Sequence, residues 1–411
     1  MYKKLNLFVL LLMTFLELSG NSLKMQSDAD TLYLQKLINK AKPFDTILIS
    51  PGLYETVPVI IDKSLTIIGQ PNSHLHSLHG DQILVATHDS VQIIGLTLSG
   101  VKTNYLKETS AIRIVKSKHF KIMNNTIENC FFGIYLEHAK YGIIRNNQVS
   151  GKATTEAGSG NAIHAWYCSH LKIEDNKLQG HRDGIYFEFV SDSEIMGNRS
   201  WRNKRYGLHF MFSNTDKYHH NIFSENGAGV AVMFSKEIEM IDNQFSFNWG
   251  NSSYGLLLKE INDALVLQNK FENNTIGIFV EGSNRIKYQY NDFRDNGWGI
   301  KFSGGCSANE IRQNNFLNNS LDLVVNTALN DNKIESNYWS EYTGYDLDRN
   351  NIGDVPHYPV KLFSYVLDQV PEAIVLMRSF FVDLLNFSEK VSPVFTPKEV
   401  YDPKPLMHPI S

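Results

Sequence analysis

Apolar and polar residues alternate along this chain in short runs from Thr46 to Trp339. Alternation with a period of two marks half-buried strands, and runs this short imply many strands joined by tight corners. Two columns punctuate them. Asparagines stand at Asn125, Asn147, Asn176, Asn198, Asn221, Asn243, Asn269, Asn291, Asn314 and Asn337, in steps of 22, 29, 22, 23, 22, 26, 22, 23 and 23 residues. Glycines return at Gly133, Gly184, Gly207, Gly229, Gly255, Gly277 and Gly299, with Ala162 filling one place. The pattern is plainest in Arg205–Ser235, where Gly207-Leu208-His209-Phe210-Met211 comes back 22 residues later as Gly229-Val230-Ala231-Val232-Met233. A strand-built repeat of this length is a solenoid. The expected fold is all-β: a right-handed parallel β-helix, pectin-lyase-like with CASH-type repeats, and with C-terminal helices. Ten ladder coils at about 4.8 Å each would span roughly 50 Å. The asparagines would turn inward at a corner and bond to the coils above and below, so their column is structural.

The ends break the period. Lys3 and Lys4 precede an apolar run of 12 residues, Leu5–Leu16, which reads as an export signal over residues 1–22. That run is shorter than the roughly 20 residues a membrane span needs. Residues 23–45 should hold a capping helix, with Leu32, Leu34, Leu37, Ile38 and Ala41 apolar and Pro43 as its stop. The β-helix follows over 46–340, then an Asp-rich loop over 341–360, then helices and a proline-rich tail over 361–411. The helices are expected at Lys361–Asp368 and Pro371–Lys390. Ile374, Val375, Leu376, Phe380 and Phe381 make the second one greasy, so it should cap the last coil or dock on something apolar. The tail from Pro393 is expected to order only against a partner.

Strand geometry then sorts the side chains. After each column glycine the second and fourth residues should face outward. The second positions are Tyr135, His164, Tyr186, His209, Ala231, Leu257, Phe279 and Lys301. The fourth are Glu137, Trp166, Glu188, Met211, Met233, Lys259, Glu281 and Ser303. Met211 and Met233 would thus stack on adjacent coils with His209 beside them, and Ala231 would leave open space next to the histidine. Two thioethers and an imidazole form a soft donor set that selects Cu(I). Methionine more often fills cores, but a fourth-position residue should not be in one. His164 and Glu188 are weaker copper candidates nearby. Two long loops, Gly151–Gly160 and Asn248–Ser253, bracket these coils, where a solenoid places binding loops.

Composition narrows the classes. A net charge of −4 without a basic stripe argues against nucleic acid. Cys130, Cys168 and Cys306 are distant and odd in number, so no disulfide framework is implied. The chain has no P-loop, so ATP chemistry would sit elsewhere. Asp346, Asp348, Asn350 and Asp354 follow part of the spacing of a calcium loop, but Asn351 replaces its glycine and His357 its final glutamate. A Ca²⁺ site and a metal-free Asx-rich turn are both open there. His74, His76 and His79 sit close in sequence and are read as a solvated turn, as are His219 and His220.

With these residues in view, the chain resembles the NosD family, periplasmic copper-assembly proteins for nitrous-oxide reductase. The resemblance is carried by RYGLHFMFS, NGAGVAVMFS, YGLLLKE, NGWGIKF, NYW and GYDLDRNNIGDVPHYPVKLF. His209, Met211 and Met233 match that family's motif. The resemblance implies a periplasmic copper carrier in complex with an ABC transporter membrane subunit and its ATPase. It also implies copper received from a lipoprotein chaperone and handed to nitrous-oxide reductase, with no catalysis by this chain. The rivals are a carbohydrate-active β-helix enzyme, a lyase or epimerase, and a structural adhesin. The enzyme would need converging carboxylates and a base, whereas Glu137 and Glu188 are expected to lack an Arg or Lys beside them. The adhesin gives no reason to face methionine outward.

Overall fold

The computed structural model describes residues 22–25, 31–250, 253–326, 331–376, 379–391 and 400–410. The expected signal lies almost wholly outside them. Among the described residues three parallel sheets of 14, 12 and 13 strands wrap into a right-handed β-helix of about 13 coils. This exceeds the ten ladder coils, because coils before Asn125 carry no ladder asparagine.

One coil shows how the sequence turns. Strand Lys217–His219 lies in the first sheet, Ile222–Ser224 in the third and Ala228–Met233 in the second. Between them His220 and Glu225, and after the last of them Phe234 and Glu237, adopt positive φ of 56°, 55°, 53° and 57°. Single left-handed residues reverse the chain without a longer loop. The middle residues Tyr218 and Phe223 point in and are fully buried. At Gly207 the chain bends so tightly that a Cβ would lie 2.8 Å from the Gly229 carbonyl oxygen, and at Gly277 2.5 Å from that of Gly299. That contact explains the glycine column.

The asparagine column is a hydrogen-bonded ladder. Asn221 Nδ2 donates to Ile195 O at 2.9 Å and to Asn243 Oδ1 at 3.0 Å. Its own Oδ1 accepts from Asn198 N at 2.9 Å and Asn198 Nδ2 at 3.0 Å. Ten such residues are essentially inaccessible to solvent. A second ladder, five residues on, was not foreseen: Asn203, Asn226, Asn248, Asn274, Asn296 and Asn319 link successive coils at the next corner. Within the core, Phe245, Phe271, Phe293, Phe316 and Trp339 stack with planes 5–8° apart.

Both ends are closed. Helix Tyr33–Lys40 buries Leu34, Leu37 and Ile38 over the first coils, as its spacing predicts. An added strand, Ser22–Met25, pairs with Thr46–Ile49. At the far end residues 400–410 do not form a free tail. They return to the last coil, where the buried Asp402 carboxylate accepts from Asn337 N, Asn337 Nδ2 and Trp339 Nε1 at 2.9, 3.2 and 3.1 Å. Asp402 is the final rung of the ladder. Helix Leu362–Gln369 packs on strand Leu321–Val325 through buried Phe363. The expected second helix is split into a 3-10 turn, Pro371–Leu376, and a helix, Phe380–Val391. Val375, Phe380, Phe381, Leu384 and Phe387 remain exposed. Among the described residues no helix is long and apolar enough to cross a membrane.

Two predictions follow from this interior. Replacing Asn221 by Leu orphans Asn198 N and the Ile195 carbonyl, each costing about 1–3 kcal/mol. Urea unfolding should show a loss of at least about 2 kcal/mol, whereas the exposed neighbour Ile222→Lys should change little. Asp216 is buried with Oδ2 unpartnered, and burial pushes its carboxyl up to about 8. The unfolded chain ionises near about 4, so between about pH 4 and 8 this group lowers stability by about 1.4 kcal/mol per pH unit. Asp216→Asn keeps an acceptor for Ser193 N. It should match the parent near pH 4 and exceed it in unfolding free energy at pH 7.

Candidate metal-binding face

The second sheet carries the outward columns in the expected register. His209 pairs with Tyr186 and Ala231, and Met211 with Glu188 and Met233. The two methionines are partly exposed on the outer face. His209, in contrast, is only 4% accessible. The space beside it is not open. Tyr254, Leu257, Ala228 and Ala231 form a second apolar cluster outside the coil, with Tyr206 and Met233 packed against it. Tyr254 and Tyr206 approach hydroxyl to hydroxyl at 3.3 Å. The rings of Tyr206 and Tyr186 lie 4.8 and 5.0 Å from the imidazole, and the 26-residue step of the next coils supplies Tyr254, which packs beyond Tyr206.

Arg205 sets the electrostatics. Its guanidinium makes two hydrogen bonds to the fully buried Asp183 carboxylate, at 2.9 and 2.5 Å, and donates to His209 Nδ1 at 3.3 Å. Because Nδ1 accepts, the ring proton sits on Nε2, which is buried and has no partner. Burial, with Arg205 and Arg182 adding to it, pushes His209 down to about 3, so the imidazole stays neutral. Neutrality suits a metal ligand, but this tautomer does not. Nε2 offers a lone pair only when the proton moves to Nδ1 and Arg205 gives way. The methionine sulfurs carry no such condition.

The other candidates are differently engaged. His164 is buried, accepts from Asn161 Nδ2 at 3.0 Å, and stacks between Tyr135 and Tyr186. Glu188 accepts from the Tyr186 hydroxyl at 3.3 Å. Glu137 does have a basic neighbour, contrary to expectation: Arg113 pairs with it at 2.8 Å. In the Asp-rich loop Asp346 accepts from Asn350 N and Asn351 N, and Asp354 from Leu347 N. These bonds account for the loop conformation without a cation. Among the described residues no three His, Cys, Asp or Glu side chains are grouped to hold a metal. His74 and His76 share one strand face, and both bond to Ser99 Oγ, at 2.7 and 2.9 Å. The three cysteines are free and buried.

One feature beside the methionines escaped sequence reasoning. Tyr167, Phe189, Phe212 and Phe234 stack in sequence, 4.6, 5.2 and 5.2 Å apart, along the outer edge of the sheet. All four have φ between 50° and 53°. Bulky residues seldom adopt that conformation, so other residues would fit these corners with less strain. The signal was present, since each lies five residues after Ala162, Gly184, Gly207 or Gly229.

Fold and face together define a parallel β-helix whose outer surface presents two in-register thioethers beside a neutral imidazole. The chain resembles the NosD family. A sequence model of that family, described as periplasmic copper-binding protein (NosD), matches residues 145–344. A protein of Stutzerimonas stutzeri named probable ABC transporter binding protein NosD is 24% identical over 84% of this chain and 83% of its own length. A Pseudomonas aeruginosa protein of the same name is 24% identical over 85% of each. Among solved structures, the A-module of an Azotobacter vinelandii mannuronan C-5 epimerase superposes with a TM-score of 0.63 at 12% identity. It covers 75% of this chain and 95% of its own. An alpha-1,3-glucanase catalytic unit from Streptomyces thermodiastaticus gives 0.57 at 12% identity, over 79% of this chain and 66% of its own. At such identities these likenesses show the fold alone.

Buried neutral histidines give a pH prediction. Burial pushes His164 and His209 down to about 3, and His181 and His357 to about 4. Unfolded histidine titrates near about 6.5. Their stabilisation is therefore complete above that pH and is lost as pH falls toward about 3, by up to about 1.4 kcal/mol per unit for each. Four histidines outweigh Asp216 below about pH 6.5. Denaturant unfolding at stepped pH should show stability falling steeply on acidification, and His209→Gln should make that fall shallower.

Proposed function

We propose that this protein is a periplasmic copper carrier that holds Cu(I) on Met211 and Met233, with His209 as a third donor. The observation that supports it most is the in-register methionine pair, set where strand alternation calls for polar residues. Soft thioethers prefer Cu(I) and bind Zn²⁺, Ca²⁺ or Mg²⁺ poorly. The copper is cargo, not a resident cofactor. A partly exposed pair can load and unload, which a closed four-ligand cage resists. Joining His209 requires Arg205 to release Nδ1, so capture through the imidazole is coupled to movement of the Arg205–Asp183 pair. The family descriptions support a periplasmic location and an ABC transporter partner. In this reading a lipoprotein chaperone supplies copper, nitrous-oxide reductase receives it, and ATP is hydrolysed on another chain. The aromatic strip Tyr167–Phe189–Phe212–Phe234 adjoins the methionines and would seat the donor or acceptor. The exposed side chains of the C-terminal helices would meet the membrane subunit.

The test is Met211→Leu combined with Met233→Leu, which keeps bulk and removes both sulfurs. Competition with a Cu(I) chelator should show at least about a tenfold loss of affinity, with unchanged circular dichroism. Nitrous-oxide reductase matured beside this variant should lack copper. Full copper loading would refute the methionine site while leaving the family assignment intact.

A further inference from the structure

A cavity of about 510 Å³ opens away from the methionine face, at the corner between the third and second sheets. Its walls come from two long connections. Residues 101–109 and 151–160 are latched together by the Tyr105 hydroxyl, which donates to Ala157 O, while the Tyr105 ring meets Phe131 edge-on at 5.3 Å. The volume is that of a pocket for one small molecule.

Three features define what would fit. His181 lines the cavity, is 2% accessible, and has Nε2 buried without a partner. A Cβ on Gly151, another lining residue, would stand 3.0 Å from that nitrogen, so only the glycine leaves room beside it. Burial pushes His181 down to about 4, and backbone bonds at Gly160 and Phe131 oppose this. The exposed side chains of Lys102 and Lys152 also line the cavity, and among the described residues no aspartate or glutamate does. His76, tethered through Nδ1 to Ser99 Oγ at 2.9 Å, adds a second imidazole.

The cavity therefore offers two lysine side chains and a buried imidazole nitrogen that lacks a hydrogen-bond partner. A metal fits it poorly, since among the described residues no three His, Cys, Asp or Glu side chains are grouped to hold one. We propose that this cavity binds a small hydroxy-carboxylate of the sugar-acid class, its carboxylate on Lys102 and Lys152 and a hydroxyl hydrogen-bonded to His181 Nε2. Nothing in the copper reading requires this site, and the two can fail separately.

Titration calorimetry on the mature protein tests it, with D-galacturonate, its neutral counterpart D-galactose, and inorganic phosphate as probes. The expected result is galacturonate binding with Kd of about 1 mM or tighter, and no heat from galactose or phosphate at that concentration. Lys102→Met with Lys152→Met keeps both stems, and His181→Leu removes the imidazole. Each should weaken binding at least about tenfold, while Cu(I) affinity stays unchanged. The lysine pair is on the surface, so it keeps the test decisive where His181→Leu fails to fold. Absence of galacturonate binding, equal binding of phosphate or galactose, or full binding by the lysine variant would overturn the proposal.

Discussion

Every corner of this solenoid takes backbone amides and carbonyls out of water and out of the sheets, and each must find a partner. The ladder asparagines solve that problem with one side chain. The amide nitrogen of each donates back to a carbonyl and onward to the next rung, and the carbonyl oxygen accepts from the coil before. The coil-to-coil spacing of a parallel sheet suits such stacking, so the solution repeats without modification. The series starts where Leu96 N donates to Asn125 Oδ1 and ends on Asp402. A carboxylate ends it well, because it accepts several hydrogen bonds and has no donor of its own to satisfy.

Since the ladders fix the coils, departures from the repeat fall on the outside. The long steps lengthen connections and not strands. One connection brings Tyr254 against Tyr206, and two others wall the cavity holding His181. Both imidazoles are buried, neutral and unpartnered at Nε2, yet they are prepared differently. Arg205 donates to His209 Nδ1 and leaves the proton on Nε2, whereas His181 lines a cavity in which the same nitrogen finds no partner.

The methionine pair gains its meaning from what surrounds it. Met233 packs against the outer apolar cluster, which positions it, while Met211 lies in register with both Met233 and Glu188. The stacked aromatics at left-handed corners continue the apolar surface past the sulfurs. In the proposed copper reading, a face that combines two thioethers, an adjoining apolar strip and a buried ion pair touching His209 suits handover better than storage.

Period and alternation were enough to derive the β-helix, the ladder, the in-register columns and the N-terminal helix. Each follows from local spacing repeated many times, and repetition removes the ambiguity of a single strand. The second ladder and the aromatic column are equally periodic in the sequence, but asparagine and bulky aromatics also occupy ordinary turns and surfaces, so their spacing alone does not mark them as stacked. Other features were not legible in any spacing. Whether an outward residue is exposed depends on what packs over it: Tyr186 and Tyr206 close on His209, and Tyr254 reaches Tyr206 across 48 residues. The tautomer of His209 depends on Arg205, whose orientation is fixed by Asp183 one coil away. Asp402 meets Asn337 across 65 residues. The sequence by itself determined the elements and their register, because these rest on neighbours at fixed separations. Only the tertiary structure decided burial, protonation and closure, because these rest on contacts whose separation in the chain follows no rule.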